Sequence, residues 1–301
     1  VKDSGAFLAV VNPAAGGGRG RKLVGPALAR LRAGGIDFEV VETSTPGQAT
    51  ALVRDAHAQG YRKFIAVGGD GTSYEVVNGL FPSETVAPAT LAFLPLGTGN
   101  SFLRDFSDRG VEFAIEALLA RRSVPCDVLR LTHQTGVLHY INLLSMGFSA
   151  DVATLRARRF SSWGEVGYRS SIFICLARFR RRPFPLRVDG DAEVDRRPCL
   201  FLTFSNSKFT GGTMMIAPKA EVNDGLIEFV RWGPIGRLGL IRNLPTLYDG
   251  THINHPLAER RPAKRIDFDL DAPVDVMVDG EVFTLHCQSL DVLPSALNVV
   301  V

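Results

Sequence analysis

Cysteine is scarce in this chain: four in 301 residues, Cys126, Cys175, Cys199 and Cys287, scattered and with no CxxC pair. That spacing argues against a zinc site and, in a chain this long, against a disulfide framework; it fits a reducing compartment. Long apolar runs are missing too. The most apolar helical stretch, Ser171 to Ala177 (SIFICLA), is far short of the roughly 20 residues a membrane span requires, so no bilayer crossing is expected. The opening VKDSGAFLAVVNP, which does not begin with Met, has no charged n-region before its apolar run and does not read as a secretory signal, so the expected location is cytoplasmic. Charge of one sign is also lacking, since the net of +3 is small and does not call for nucleic acid. Absent as well are GxxxxGK[ST], GxGxxG, HRD and DFG, which removes the P-loop, dinucleotide and protein-kinase routes to phosphate binding. His252 and His255 have an HxxH spacing, but beside Pro256 and without an acidic helix partner they read as loop histidines.

With 46% hydrophobic and 22% charged residues, the chain has the composition of a soluble globular protein and the length for two domains. Strand and helix alternate through the first 130 residues. Ala6–Val11, Phe38–Val41, Lys63–Val67 and Leu91–Leu94 read as strands, each followed by a helical pattern at Lys22–Arg32, Ala49–His57, after Thr72 and at Phe113–Leu119. This grammar implies an α/β domain with a parallel sheet covered on both faces. After residue 130 come short strands: Val128–Leu131, Tyr140–Leu144, Leu186–Val188, Cys199–Phe204, Leu226–Val230, Ile266–Leu270, Val274–Val278 and Val282–Leu285. They predict a β-rich antiparallel sandwich or barrel, interrupted by helices near Gly164–Phe179 and Ile235–Leu247. The expected domains are therefore 1–130 and 131–301, with the last strand free to return to the first.

Three glycine-rich loops follow strands of the expected parallel sheet: NPAAGGGRG from Asn12, GGDGT at Gly68–Thr72 and PLGTGN at Pro95–Asn100. In the second, Gly68, Gly69 and Gly71 permit positive φ and leave room for backbone N–H groups to converge on an anion, to which a helix from Thr72 would add its positive end. Asp70 would repel a phosphate unless a cation or proton lay between, so it reads as a Mg²⁺ or hydrogen-bond-network residue. Three such loops on one sheet edge describe a nucleotide-sized site. Basic residues cluster at Arg156–Arg159, Arg178–Arg182 and Arg260–Arg265, as solvated faces or as surfaces for anionic headgroups or nucleic acid. The first two runs flank an apolar helix with Trp163, Tyr168, Ile172, Phe173 and Phe179, a mixture suited to a membrane interface.

NPAAGGG, GGDGTSYEVVNGL, PLGTGNSFLRD, GGTMMIAPKAEVNDGLIE (Gly211–Glu228) and VDGE (Val278–Glu281), taken in order with WGEVGY near Gly164, resemble the diacylglycerol kinase catalytic-domain family, which includes bacterial lipid kinases and sphingosine and ceramide kinases. The resemblance implies ATP-dependent, Mg²⁺-dependent transfer of phosphate to a lipid hydroxyl, on a nucleotide domain joined to a β-rich domain. It places ATP at Asn12, Pro13, Thr43, Gly68, Gly69, Asp70, Gly71, Thr72, Gly97, Thr98 and Asn100. It implies a metal at Asp224 with the backbones of Glu221 and Leu226, with Asp127 in the acidic network nearby. Asp279 matches the general base, with Glu281 the second candidate, although Asp279 before Gly280 is also what a hairpin turn wants. The partner expected is a lipid substrate at a membrane surface, met peripherally, and the family allows a homodimer. Ser73, Tyr74 and Ser101 depart from what many bacterial members carry at these positions. The alternatives are an NAD kinase-like enzyme with a soluble acceptor, whose NE pair and GSTAY-like segment are absent here, and a non-catalytic nucleotide- or lipid-binding protein. The sequence does not name the acceptor lipid.

Overall fold

The computed structural model describes residues 5–15, 20–81, 88–96, 101–159, 170–171, 174–177 and 181–301. Two compact units emerge, Val1–Val128 with Leu293–Val301, and Leu129–Val292.

The first unit is built on parallel strands. Strands β1 (Phe7–Val11), β2 (Phe38–Glu42), β3 (Lys63–Gly68) and β4 (Ala89–Pro95) lie in the order β2-β1-β3-β4. Residues 293–301 return to this unit, where Leu297, Asn298 and Val299 pair in parallel with Ala89, Thr90 and Leu91. Between the strands run helices α1 (Gly20–Ala33), α2 (Gln48–Ala58) and α3 (Asp70–Leu80), and α4 (Val111–Ala120) follows β4. β1, β3 and β4 read as unbroken apolar runs because both faces are covered. Ile65, Val67, Ala92 and Leu94 share a core with Leu28 and Leu31 of α1 and Ile115 and Leu118 of α4. Phe64, one residue out of phase, meets the His57 ring of α2 at 6.4 Å.

The second unit is antiparallel wherever its strand registers are described. A six-stranded sheet runs β13 (Ala258–Ala263), β12 (Ile227–Trp232), β9 (Phe201–Ser205), β7 (Leu143–Gly147), β15 (Val274–Val278), β16 (Glu281–Leu285). In another layer, β5 (Ser123–His133) pairs through its second half with β6 (Gly136–Tyr140), while β14 (Arg265–Phe268) pairs with β8 (Leu186–Val188) and the start of β17 (Cys287–Val300). The ring of Phe204 in β9 packs edge-on against Phe268 in β14 at 5.5 Å, so side chains of the two layers share one interior. Other elements among the described residues include α5 (Phe148–Arg159), the two-residue strands β10 (Phe209–Thr210) and β11 (Met214–Met215), helices α6 (Arg237–Asn243) and α7 (Thr246–Asp249), and a 3-10 turn at Thr251–Asn254.

Several expectations are corrected. Tyr140–Leu144 is not one strand: it breaks at residues 141 and 142, where the backbone leaves β6 and enters the other sheet as β7. The helix expected over Ile235–Leu247 is two, divided at Leu244–Pro245; both residues keep right-handed helical backbone, but Pro245 has no N–H to continue the hydrogen-bond ladder. Ala258–Ala263 (AERRPA), read as part of a basic run, is an edge strand, the place where charge and proline are tolerated in a sheet. α5 was not anticipated. Of the helix expected over Gly164–Phe179, residues 170–171 and 174–177 are described and helical. Trp163, Tyr168, Ile172, Phe173 and Phe179 lie outside the described residues.

Candidate active site

The strands of the first unit end level with one another. Val11 pairs with Glu42 on one side and Val67 on the other, and Gly68 pairs with Pro95. Asn12, Thr43 and Gly69 therefore leave the sheet at its carboxyl edge, where ligands bind in open α/β sheets. The Asn12 N–H donates to the Val67 carbonyl at 3.0 Å, its Oδ1 accepts the Ala14 N–H at 3.0 Å, and its Nδ2 donates to Thr72 Oγ1 at 3.3 Å. Thr43 donates through Oγ1 to the Val11 carbonyl at 3.3 Å. Pro13 begins the turn after Asn12 and is half-buried. Gly97, Thr98 and Asn100 lie outside the described residues.

The glycines of GGDGT have a different physical reason from the one expected. None of Gly68, Gly69 or Gly71 has positive φ: Gly68 ends β3, Gly69 precedes α3 with φ −112° and ψ −168°, and Gly71 lies within α3. What the turn requires is close approach. A Cβ on Gly68 would stand 2.2 Å from Thr72 Oγ1 and 2.8 Å from its Cβ, so only glycine lets α3 start directly over the strand. The helix begins at Asp70, two residues earlier than predicted, with no side chain capping it. Thr72 and Ser73 direct their N–H groups back to the Gly69 carbonyl at 3.0 and 3.2 Å, which leaves the first residues of α3 as the place where its positive end can face an anion.

Asp70 is part of a hydrogen-bond network. Its Oδ1 accepts the Ser101 N–H at 3.1 Å and its Oδ2 the Ser101 hydroxyl at 3.2 Å. Burial pushes the carboxyl up to about 6, and the two donations from Ser101 offset part of that rise. Ser101, noted in the sequence only as a departure, is thus the partner of the motif's acidic residue. The cavity under the helix, lined by Gly68, Asp70, Ser73 and Phe102 among others, has about 20 Å³ of space, little more than one water needs. A nucleotide would have to lie over the strand ends. Glu75 was missed by sequence reasoning: its carboxylate accepts the Gly47 and Ala49 N–H groups at 2.8 and 3.0 Å, tying α3 to the start of α2. An acidic side chain over exposed helix-start amides is the pattern that would have revealed it.

Asp127 belongs to the first unit. It is fully buried, and its Oδ1 accepts the Ser295 N–H at 2.7 Å. Glu221, Asp224 and Leu226 belong to the second. Asp224 is exposed and its Oδ1 accepts the Leu226 N–H at 2.9 Å, with Gly225 following at φ 73°. Among the described residues no three His, Cys, Asp or Glu side chains group as they would to hold an ion. The expected set of one carboxylate and two carbonyl oxygens is a hard-oxygen set of the kind Mg²⁺ accepts. The HxxH histidines are not ligands of anything described. His252 is buried with Nε2 at 3.1 Å from the Ile216 carbonyl and Nδ1 at 3.3 Å from that of Thr246, while His255 Nδ1 accepts the Leu257 N–H.

VDGE forms the hairpin between β15 and β16. Asp279 and Gly280 are its two loop residues, at φ 47° and 90°, and positive φ at both is the signature of a type I′ turn. The Asp279 side chain turns inward, 5% exposed. Its Oδ1 accepts the Asn142 and Leu143 N–H groups at 3.1 and 2.9 Å, and its Oδ2 accepts that of Ile141 at 3.1 Å. This explains why the chain breaks between β6 and β7: three successive amides leave the ladder to face one carboxylate. The Asn206 side chain donates to the Ile141 carbonyl at 3.0 Å, and Ser207 donates to Asn142 Oδ1. Glu281, two residues on, is exposed at the start of β16.

This arrangement of parallel α/β unit and antiparallel unit has relatives. The diacylglycerol kinase catalytic domain family matches residues 6–131, and the YegS C-terminal NAD kinase beta sandwich-like domain matches residues 142–301. The chain is 26% identical over 298 residues to a protein named Diacylglycerol kinase from Mycobacterium tuberculosis (strain ATCC 25618 / H37Rv), covering 98% of this chain and 94% of the relative. It is 29% identical over 275 residues to one from Pseudomonas fluorescens named "Probable lipid kinase YegS-like", covering 91% and 88%. A crystal structure of a diacylglycerol kinase from Bacillus anthracis str. Sterne superposes with a TM-score of 0.70 at 20% identity, covering 98% of this chain and 96% of that one, a likeness of fold. Among the described residues no helix is long and apolar enough to cross a membrane. With both domains matched in order along nearly its whole length, the chain belongs to the diacylglycerol kinase catalytic-domain family.

Proposed function

We propose that this protein is an ATP-dependent lipid kinase that transfers the γ-phosphate of ATP to a lipid hydroxyl. The observation that carries the reading is the succession of both family domains along one chain, at coverage above nine-tenths of a relative named Diacylglycerol kinase. The geometry of the first unit supports it: Asn12, Thr43 and the start of α3 stand on one sheet edge, held there by the Asn12–Thr72 and Asp70–Ser101 contacts.

Phosphoryl transfer is dominated by positioning and by neutralisation of charge. In this reading the start of α3 and the turn after β1 orient the phosphates of ATP, Gly68 lets the helix approach them, and Gly97, Thr98 and Asn100 complete the nucleotide site. Bound Mg²⁺ would supply charge neutralisation between phosphate oxygens. Asp224, with the carbonyls of Glu221 and Leu226, would hold a metal in the second unit, and Asp127 would order the strand beside Ser295. The lipid hydroxyl loses its proton to one of the two carboxylates of VDGE. Asp279 is fixed in one orientation by three amides, which suits a base that must be placed within hydrogen-bond reach. Glu281 stands exposed at the start of β16.

Two substitutions separate them. Asparagine at 279 keeps the turn, since it tolerates positive φ, but its Nδ2 would face an amide N–H that now donates to a carboxylate oxygen; Asp279→Asn is therefore expected to lose about 10² or more in turnover together with some stability. Glu281→Gln is expected to retain turnover. Loss in Glu281→Gln with retention in Asp279→Asn moves the role to Glu281. The activity itself is tested by offering labelled ATP and Mg²⁺ with dispersed diacylglycerol in one arm and NAD in the other. Phosphorylated lipid is the expected product, and robust NADP formation with no lipid product would overturn the reading in favour of an NAD kinase-like enzyme.

A further inference from the structure

The arginines of the second unit divide by what they touch. Arg260 pairs with Glu228, Arg261 with Asp191, Arg265 with Asp267 and Arg182 with Asp151, so much of the charge in the basic runs is neutralised within the protein. Arg181, Arg237 and Arg242 differ: among the described residues none of them forms an ion pair, and Arg237 donates instead to the Ala177 carbonyl at 2.9 Å. Two of these three lie on α6, and the third lines a cleft at its start, a space of about 540 Å³ bordered by Arg181, Gly236, Arg237, Leu238 and Gly239.

α6 has two faces. Leu240 is 2% exposed and packs in the core with Trp232, Ile235 and Leu247. Leu238 is 83% exposed and Ile241 56%. At about 100° per residue, Arg237, Ile241, Leu238 and Arg242 fall in that order around one arc of about 140°, so two bare aliphatic side chains are bracketed by two arginines. Such an arrangement suits a bilayer interface, where aliphatic side chains enter the acyl boundary while guanidinium groups stay among the phosphates. A second copy of the chain is a poor occupant, because a two-fold axis through so narrow a patch would set arginines against their own kind, and seven residues of helix offer far less than the area of a stable dimer.

We propose that this face of α6 is where the protein meets an anionic membrane, with Leu238 and Ile241 entering the interface and Arg181, Arg237 and Arg242 contacting lipid phosphates. The proposal rests on the lipid kinase reading only in that such an enzyme must reach a lipid, and binding can be measured without turnover.

The test is co-sedimentation of the full chain with vesicles of phosphatidylcholine alone and with about one-third phosphatidylglycerol, across a range of salt. Binding is expected to favour the anionic vesicles, to weaken as salt rises, and to fall at least about tenfold in the double substitution Leu238→Asn with Ile241→Asn, and similarly in Arg242→Glu. All three positions are exposed, so thermal unfolding should be unchanged. Unaltered binding by the double variant in anionic vesicles would overturn the proposal. So would a wild-type chain that ignores both vesicles, or a dimer in solution that the double substitution splits, which would assign the face to a second copy. Failure of the kinase reading gives a separate result: no ATP turnover with any lipid, whatever the sedimentation shows.

Discussion

Asp70 in the first unit and Asp279 in the second are both aspartates beside glycine, both inside short motifs, and both withdrawn from solvent. They are served differently. Asp70 takes a hydroxyl and one amide from a single residue, Ser101, and burial leaves its carboxyl raised to about 6. Asp279 takes three successive amides from residues 141–143 and pins the crossing from β6 to β7. Their glycines differ as well. Gly68 is needed because α3 crowds it, whereas Gly280 is needed for its φ of 90°. A glycine-aspartate pair thus carries no fixed meaning until its neighbours are known.

The largest effect is expected at Asp279. Asp279→Ala leaves three inward-facing amides without their acceptor and is expected to cost about 3–5 kcal/mol, read as a fall in the denaturant midpoint; a loss below about 1 kcal/mol would mean that the three bonds are not holding the β6–β7 crossing.

Asp70 should show itself through pH instead. Its folded value lies above the unfolded 3.8, so ionisation costs the folded state nothing below about pH 4, more between pH 4 and 6, and its full amount, about 3 kcal/mol, above that. Asp70→Asn removes that cost. Relative to wild type its stability is expected to rise by about that amount between pH 4 and pH 8, in paired unfolding curves, and a difference independent of pH would contradict burial as the cause of this carboxyl's raised value.

Gly68→Val forces a β-branched side chain into the space of Thr72 and is expected to cost about 1–3 kcal/mol, while Gly69→Val, at an extended φ, should cost under about 1 kcal/mol. Equal costs at the two positions, measured by thermal unfolding, would show that the turn is not set by the approach of α3. If Gly69→Val keeps its fold and also keeps wild-type ATP affinity, the GGDGT loop does not cradle the nucleotide.

Much of this was legible in the sequence where a period and a boundary coincide. The apolar runs of β1, β3 and β4 are buried on both sides and could be read directly, and Val274–Val278 is a strand with the predicted ends. The break at Ile141–Asn142 was not, because its cause, Asp279, lies more than 130 residues away. Nor was β13, whose charges disguise an edge strand, or α5, whose polar composition gave little period to read. In the site, the level ends of β1, β2, β3 and β4 bring Asn12, Thr43 and GGDGT to one edge, as three glycine loops after parallel strands suggested. The reason for Gly68 was not legible, since positive φ and close approach look alike in sequence and only the 2.2 Å to Thr72 distinguishes them.

Whether this chain phosphorylates a lipid hydroxyl is answered by mass spectrometry of a total lipid extract after incubation with the purified protein, labelled ATP and Mg²⁺. One class of lipid is expected to gain a phosphate, with the label in that product and its formation lost in Asp279→Asn. Hydrolysis or retention of ATP with no phosphorylated lipid across the whole extract would contradict it.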